Sequence, residues 1–169
     1  TFYRIRPYDL RKIGKVSDGI VVMAYDFHKA NGNPGPNFPF SGKELYGYDF
    51  QTMVKDFSED VPKEKLYIAF GLYGYDWQID GDGKPMGPAK SYSLSKMKQN
   101  FIANCLYKNC TVVADKTSSE KKVSYTDSES FQHIVWFEDL ESIAIKTEFL
   151  ENAGINSIGY WAYTYYPVE

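Results

Sequence analysis

Val21-Val22-Met23-Ala24-Tyr25-Asp26-Phe27-His28 is an apolar run that ends in a phenol and a carboxylate. It reads as a buried strand, and the Tyr-Asp pair then stands at the strand's exit, where α/β enzymes keep their chemistry. The pattern recurs at Leu66-Tyr67-Ile68-Ala69-Phe70-Gly71, which leads into Tyr73-Gly74-Tyr75-Asp76-Trp77. A third copy is Ile155-Asn156-Ser157-Ile158-Gly159-Tyr160-Trp161. Nearly continuous apolar strands separated by polar loops and amphipathic helices predict a parallel sheet covered by helices.

The segments between the strands support this. Pro7 to Gly14 reads as a short helix, with proline ahead of it and glycine at its end. A loop rich in glycine, proline and asparagine comes after the first strand, from Asn31 to Phe40. Ser41-Gly42-Lys43-Glu44 has capping-box spacing, and Tyr46, Phe50, Met53, Val54 and Phe57 recur at helical period. One helix is therefore expected from Ser41 to about Glu59, stopped by Val61-Pro62. After Trp77 the pattern breaks into an Asp80-Gly81-Asp82-Gly83 turn, a helix-like stretch from Leu94 to Tyr107, and strand-like runs at 111–115, 121–126 and 131–137. These predict a small antiparallel insertion. A helix with the stripe Leu140, Ile143, Ala144, Thr147 and Leu150 closes at Gly154 and hands over to the last strand.

The chain has 169 residues, one domain's worth, with 43% hydrophobic and 24% charged residues, so it can build a core. A net charge of −3 and no cluster of lysine or arginine argue against binding a phosphate backbone. Aromatic residues make up 17% of the chain, which suits either stacking on sugar rings or ordinary core packing. No apolar run is long enough to cross a bilayer, so no membrane partner is expected. The N-terminus lacks a signal-peptide layout, and a start other than methionine is what a mature form or an excised segment would show. Cys105 and Cys110 could pair in an oxidising compartment or remain free thiols, and Asn109-Cys110-Thr111 reads as a glycosylation sequon. Two distant histidines and no Cys/His/Asp cluster give no metal set, no phosphate-binding glycine loop occurs, and no cofactor is expected.

Together the motifs resemble the C-terminal half of glycoside hydrolase family 18, the chitinase-like (β/α)8 barrels. Met23-Ala24-Tyr25-Asp26 is similar to the Met-x-Tyr-Asp signature of the sixth barrel strand, and Leu72-Tyr73-Gly74-Tyr75-Asp76-Trp77 to the segment ending the seventh. His133-Ile134-Val135-Trp136-Phe137-Glu138-Asp139, with Ser142 and Lys146, resembles the passage from the family's insertion into its seventh helix. Trp161 matches the tryptophan ending the eighth strand. The Tyr-Gly-Tyr-Asp-Trp form is similar to the spore-cortex and peptidoglycan branch and its chitinase-like relatives.

The resemblance implies an α/β chain forming strands six to eight of the barrel, with a candidate end of the fifth ahead of Pro7. It divides the chain into barrel at 1–78, an α+β insertion at 79–137, and barrel again at 138–169. It further implies retaining hydrolysis of β-1,4-linked N-acetylglucosamine polymers, chitin or peptidoglycan, in which the substrate's own acetamido oxygen attacks the anomeric carbon. In that scheme Tyr25 and Asp26 are catalytic: Tyr25 holds the acetamido group, and Asp26 contacts the same sugar and tunes neighbouring carboxylates. Trp161 floors the cleavage site, Tyr73 and Trp77 line the cleft wall, and Met23 is a further substrate-side residue that packs beneath. His133 and Trp136 are expected chiefly to anchor the insertion. The family's proton donor ends its fourth strand in an Asp-x-x-Asp-x-Asp-x-Glu motif, which this chain lacks; Lys84 comes after Asp80-Gly81-Asp82-Gly83, where the glutamate would fall.

Action outside the cell or at the cell wall is expected for such a substrate. A (β/α)8 barrel usually needs about 250 residues, so the chain cannot close one. Two free strand edges and a bare apolar face, with self-association as the consequence, are expected. The competing readings are a chitinase-like lectin that binds sugar without the acid, and a small α/β scaffold in which Tyr25, Asp26 and Trp161 do not converge.

Overall fold

In the computed structural model, which describes residues 6–166, Asp9 accepts from Lys12 N at 2.9 Å and so starts α1 (Leu10–Val16). The candidate end of a fifth strand lies outside the described residues. Strand β1 (Ile20–Ala24) is next. The single helix expected from Ser41 is two, α2 (Lys43–Tyr46) and α3 (Phe50–Asp60). Gly47, at φ 76°, ends the first in the left-handed region. The Ser41 capping box does not form, because the Ser41 hydroxyl donates to Thr117 O at 2.8 Å. Asp49 caps α3 instead, accepting from Thr52 N at 2.8 Å. As the spacing predicts, α3 buries Phe50, Met53, Val54 and Phe57.

Strands β2 (Leu66–Gly71) and β3 (Tyr73–Ile79) are separated only by Leu72, then come β4 (Lys90–Ser93) and α4 (Leu94–Met97). The helix expected to reach Tyr107 passes through one π turn and stops at Ile102. Cys105 and Cys110 are disulfide-bonded and turn the chain into β5 (Lys108–Ala114). Strands β6 (Lys121–Thr126) and β7 (Gln132–Phe137) lead to α5 (Leu140–Asn152), which Asp139 and Ser142 begin with a capping box, and to β8 (Ser157–Trp161).

Two sheets result. The first is parallel, in the order β1-β2-β8, with Met23 level with Ala69 and Ala69 with Gly159. On one face Val22, Ala24, Ile68 and Phe70 are buried in the main core, which α3 and α5 close. The Phe50 ring lies 5.9 Å from Phe70 and 6.4 Å from Phe149 of α5. On the opposite face Val21, Met23, Tyr67 and Trp161 are exposed, so helices cover one side only among the described residues. The second sheet is antiparallel, ordered β4-β3-β7-β6-β5, and already begins at Tyr73, ahead of residue 79 where the insertion is expected to start. Leu72 is the crossing point: its N–H donates to Trp161 O at 2.7 Å and its carbonyl accepts from Leu94 N at 2.8 Å.

A buried ion cluster joins the sheets. Lys146 of α5 is fully buried and donates to the Phe38 carbonyl, to Glu120 at 3.2 Å and to Glu138. Glu120 also accepts from the N–H groups of Asn37 and Phe38, both at 2.7 Å. Burial pushes the Glu138 carboxyl up to about 8; the Lys146 ammonium opposes the rise and the Glu120 charge adds to it. Between about pH 4.5 and 8 the folded protein therefore holds a proton on this group that the unfolded chain releases, so its contribution to stability falls as pH rises. Urea unfolding of wild type and Glu138→Gln at pH 5 and pH 8.5 checks this. The wild type should lose more stability than the variant on going to the higher pH, and parallel pH dependences would contradict the assignment.

Candidate active site

The parallel strands release their chemistry at one end. Asp26 lies just past β1 with φ 60°, a left-handed conformation that a residue other than glycine keeps only where its surroundings hold it. Asn37 holds it. The Asn37 Oδ1 accepts from Asp26 N at 2.8 Å, its carbonyl accepts from Phe27 N at 2.8 Å, and its Nδ2 donates to Tyr73 O at 3.3 Å. Gly71 allows the close approach: a Cβ there would lie 2.9 Å from Tyr25 Cβ and 2.8 Å from the Tyr73 ring.

Tyr73 and Tyr75 alternate onto one face of β3, and both hydroxyls donate to the same Asp26 oxygen, Oδ1, that of Tyr75 at 2.7 Å. Burial, reinforced by the hydrogen bond to Asp26 and by its charge, pushes the Tyr73 hydroxyl far above its ordinary value and that of Tyr75 up to about 12. Tyr25 is raised by burial and by the Asp26 charge. Near neutral pH all three phenols are therefore protonated and can donate.

Asp26, Tyr73, Tyr75 and Trp161 line one open cleft of about 560 Å³. Trp161 keeps 58% of its surface exposed there. Tyr25 stands at the cleft's edge, its ring 6.0 Å from that of Tyr73 in an edge-on arrangement. Met23 does not pack beneath the cleft. It is exposed on the bare face of the parallel sheet, since strand alternation puts it opposite the buried Val22 and Ala24.

Trp77, expected on the cleft wall, is fully buried instead. It packs with Ile79 and Trp136 while the chain folds back over it, Pro85 bridging to Ile79 and Ala89 closing on the cluster. His133 and Trp136 serve the insertion. His133 Nδ1 lies 2.8 Å from Asp76, its ring stacks on Tyr125 at 4.6 Å, and Tyr125 donates to Asp76 at 2.7 Å. Asn37 and Glu120 carry no mark in the sequence. A lone asparagine in a Gly/Pro/Asn loop reads as turn chemistry, and a glutamate whose contacts are 83 residues away gives no local signal.

The profile of glycosyl hydrolases family 18 matches residues 2–165. The chain belongs to this family. A cortical fragment-lytic enzyme of Bacillus anthracis is 30% identical over 156 residues, which are 91% of this chain and 33% of that protein. The spore cortex-lytic enzyme SleL of Bacillus cereus superposes with a TM-score of 0.73 at 26% identity, over 94% of this chain and 35% of that one. A chitinase from Chromobacterium violaceum ATCC 12472 gives 0.71 at 27% identity, over 92% and 44%. The mixed α/β fold thus resembles the C-terminal part of family 18 domains. The chain spans about a third of the length of the curated relatives it matches.

Asn37→Ala removes the acceptor for Asp26 N and the donor for Tyr73 O in a buried position. A loss of about 1–3 kcal/mol in urea unfolding is expected, the cost of stranding buried polar groups. A change below about 0.5 kcal/mol, the ordinary effect of a surface substitution, would show that Asn37 does not hold the cleft.

Proposed function

We propose that the chain is part of a family 18 glycoside hydrolase barrel that cleaves β-1,4-linked N-acetylglucosamine polymers, at the cell wall or outside the cell. The observation that carries this reading is the meeting of Asp26, two phenols that donate to it, and an exposed indole in one cleft. In this reading β1, β2 and β8 are barrel strands six, seven and eight, residues 79–137 the bulk of the insertion, and 138–169 the return to the barrel. The bare face bearing Val21, Met23 and Tyr67 is where the other strands would pack, or where a second copy would associate.

Catalysis is substrate-assisted. The Tyr25 hydroxyl holds the acetamido group against the anomeric carbon, and Asp26, fixed by Tyr73 and Tyr75, receives its N–H and stabilises the charge that develops on it. Trp161 stacks under the sugar ring and orients it for the internal attack. In the complete enzyme, loss of one such preorganised group costs about 2.7–4 kcal/mol of transition-state stabilisation. The leaving-group proton comes from a carboxylic acid outside this segment, because the cleft's carboxylate is occupied by two phenols.

The 169-residue chain should therefore bind sugar without cleaving it. Titration with N-acetylglucosamine oligomers should shift the Trp161 indole N–H resonance, and Asp26→Ala should weaken binding roughly tenfold, the loss of ~1.4 kcal/mol. Reducing-end assays on chitin oligomers should show no turnover. Hydrolysis by the pure chain, or no response of Trp161 to sugar, would contradict the reading.

A further inference from the structure

The wall of the cleft opposite Trp161 is built from two neighbouring strands. In the antiparallel register of β3 and β4, Tyr75 faces Ser91 and Tyr73 faces Ser93, and alternation puts all four side chains on the cleft side. Ser93 also caps α4, its Oγ accepting from Lys96 N at 3.3 Å, which sets Lys96 at the rim of the same wall.

Lys96 is the cleft's cation. Arg11, Lys12, Lys121 and Lys146 are all paired with carboxylates, whereas the Lys96 ammonium makes no ion pair with any described residue. The cleft's carboxylate, Asp26, is already satisfied by two phenols and does not need it. A neutral chitin chain offers nothing to an unpaired ammonium flanked by serine hydroxyls. A saccharide bearing a carboxylate does, since the ammonium supplies three donors and each hydroxyl one.

Resting on the carbohydrate reading above, we propose that Lys96, with Ser91 and Ser93, is a specificity-determining seat for a carboxylate carried by the glycan, so that the substrate class is an N-acetylmuramic acid-containing polymer, not plain chitin. The muramic unit carries this anion in one of two ways. It is the lactyl carboxylate itself, or, where that group is amide-bonded to a peptide, a carboxylate of the peptide.

The test uses the 169-residue chain, wild type and Lys96→Gln, with the Trp161 indole resonance as reporter. The probes are N-acetylmuramic acid, its lactyl methyl ester, and N-acetylmuramyl-L-alanyl-D-isoglutamine. At low salt the wild type should prefer the free acid over the ester roughly three- to fivefold, the range of an exposed ion pair. The preference should fall towards unity in about 0.5 M salt, where the Debye length is on the order of a few ångströms. Lys96→Gln should abolish it and Lys96→Arg should retain it. If only the dipeptide shows dependence on Lys96, the anion seated is the peptide carboxylate. An acid-to-ester ratio and a dipeptide affinity that are the same in wild type and Lys96→Gln overturn the proposal while leaving sugar binding intact. If no probe moves Trp161, the saccharide reading and this inference fall together.

Discussion

Lys146 sits on α5 with no exposed surface and ties together parts of the chain that are far apart in sequence. Its ammonium reaches the Phe38 carbonyl in the loop after β1, Glu120 just ahead of β6 and Glu138 just past β7. Taking charges out of water is expensive, and the attraction within such a cluster offsets the cost only when hydrogen bonds complete it. Here Glu120 is completed by two backbone N–H groups, whereas Glu138 keeps one oxygen, Oε2, with no partner among the described residues. The cluster is thus unevenly satisfied. That fits a carboxyl whose proton is hard to remove.

The cleft inherits its geometry from this cluster through Asn37. Glu120 fixes the Asn37 backbone, and the Asn37 side chain in turn fixes Asp26 and the start of β3. The links from Glu120 and to Tyr73 are buried and the link to Asp26 partly so, and the left-handed turn at Asp26 is held by the antiparallel sheet as much as by its own strand. The insertion is therefore a structural support for the cleft end of the parallel strands. Its own rigidity comes from the Asp76, Tyr125 and His133 network and from the Trp77 and Trp136 pair.

The strands, the buried face of α3 and the Tyr-Asp exit are legible in the sequence because each is a local period or a local pair. Trp161 is legible only through the motif it completes. The features that depend on distant partners are not. Ser41 has the chemistry of a helix cap, yet Thr117 takes its hydroxyl, and the helix is cut where Gly47 supplies a left-handed residue. Trp77 alternates with Tyr73 and Tyr75 and would share their exposure, except that the chain returns through Pro85 to Ala89 and covers it. Met23 reads as a residue packed beneath the cleft, and its face of the sheet is bare. Asn37, the residue on which the cleft's shape most depends, looks like turn punctuation.

The buried ammonium, acting through Glu120 and Asn37, sets the position of Asp26. Native-state hydrogen exchange of the Asp26, Asn37 and Phe38 amides in wild type and Lys146→Met tests this most directly. These three amides should lose protection together in the variant, by more than the amides in the centre of β2. Unchanged protection at Asp26, or a uniform loss across the whole chain, would contradict it.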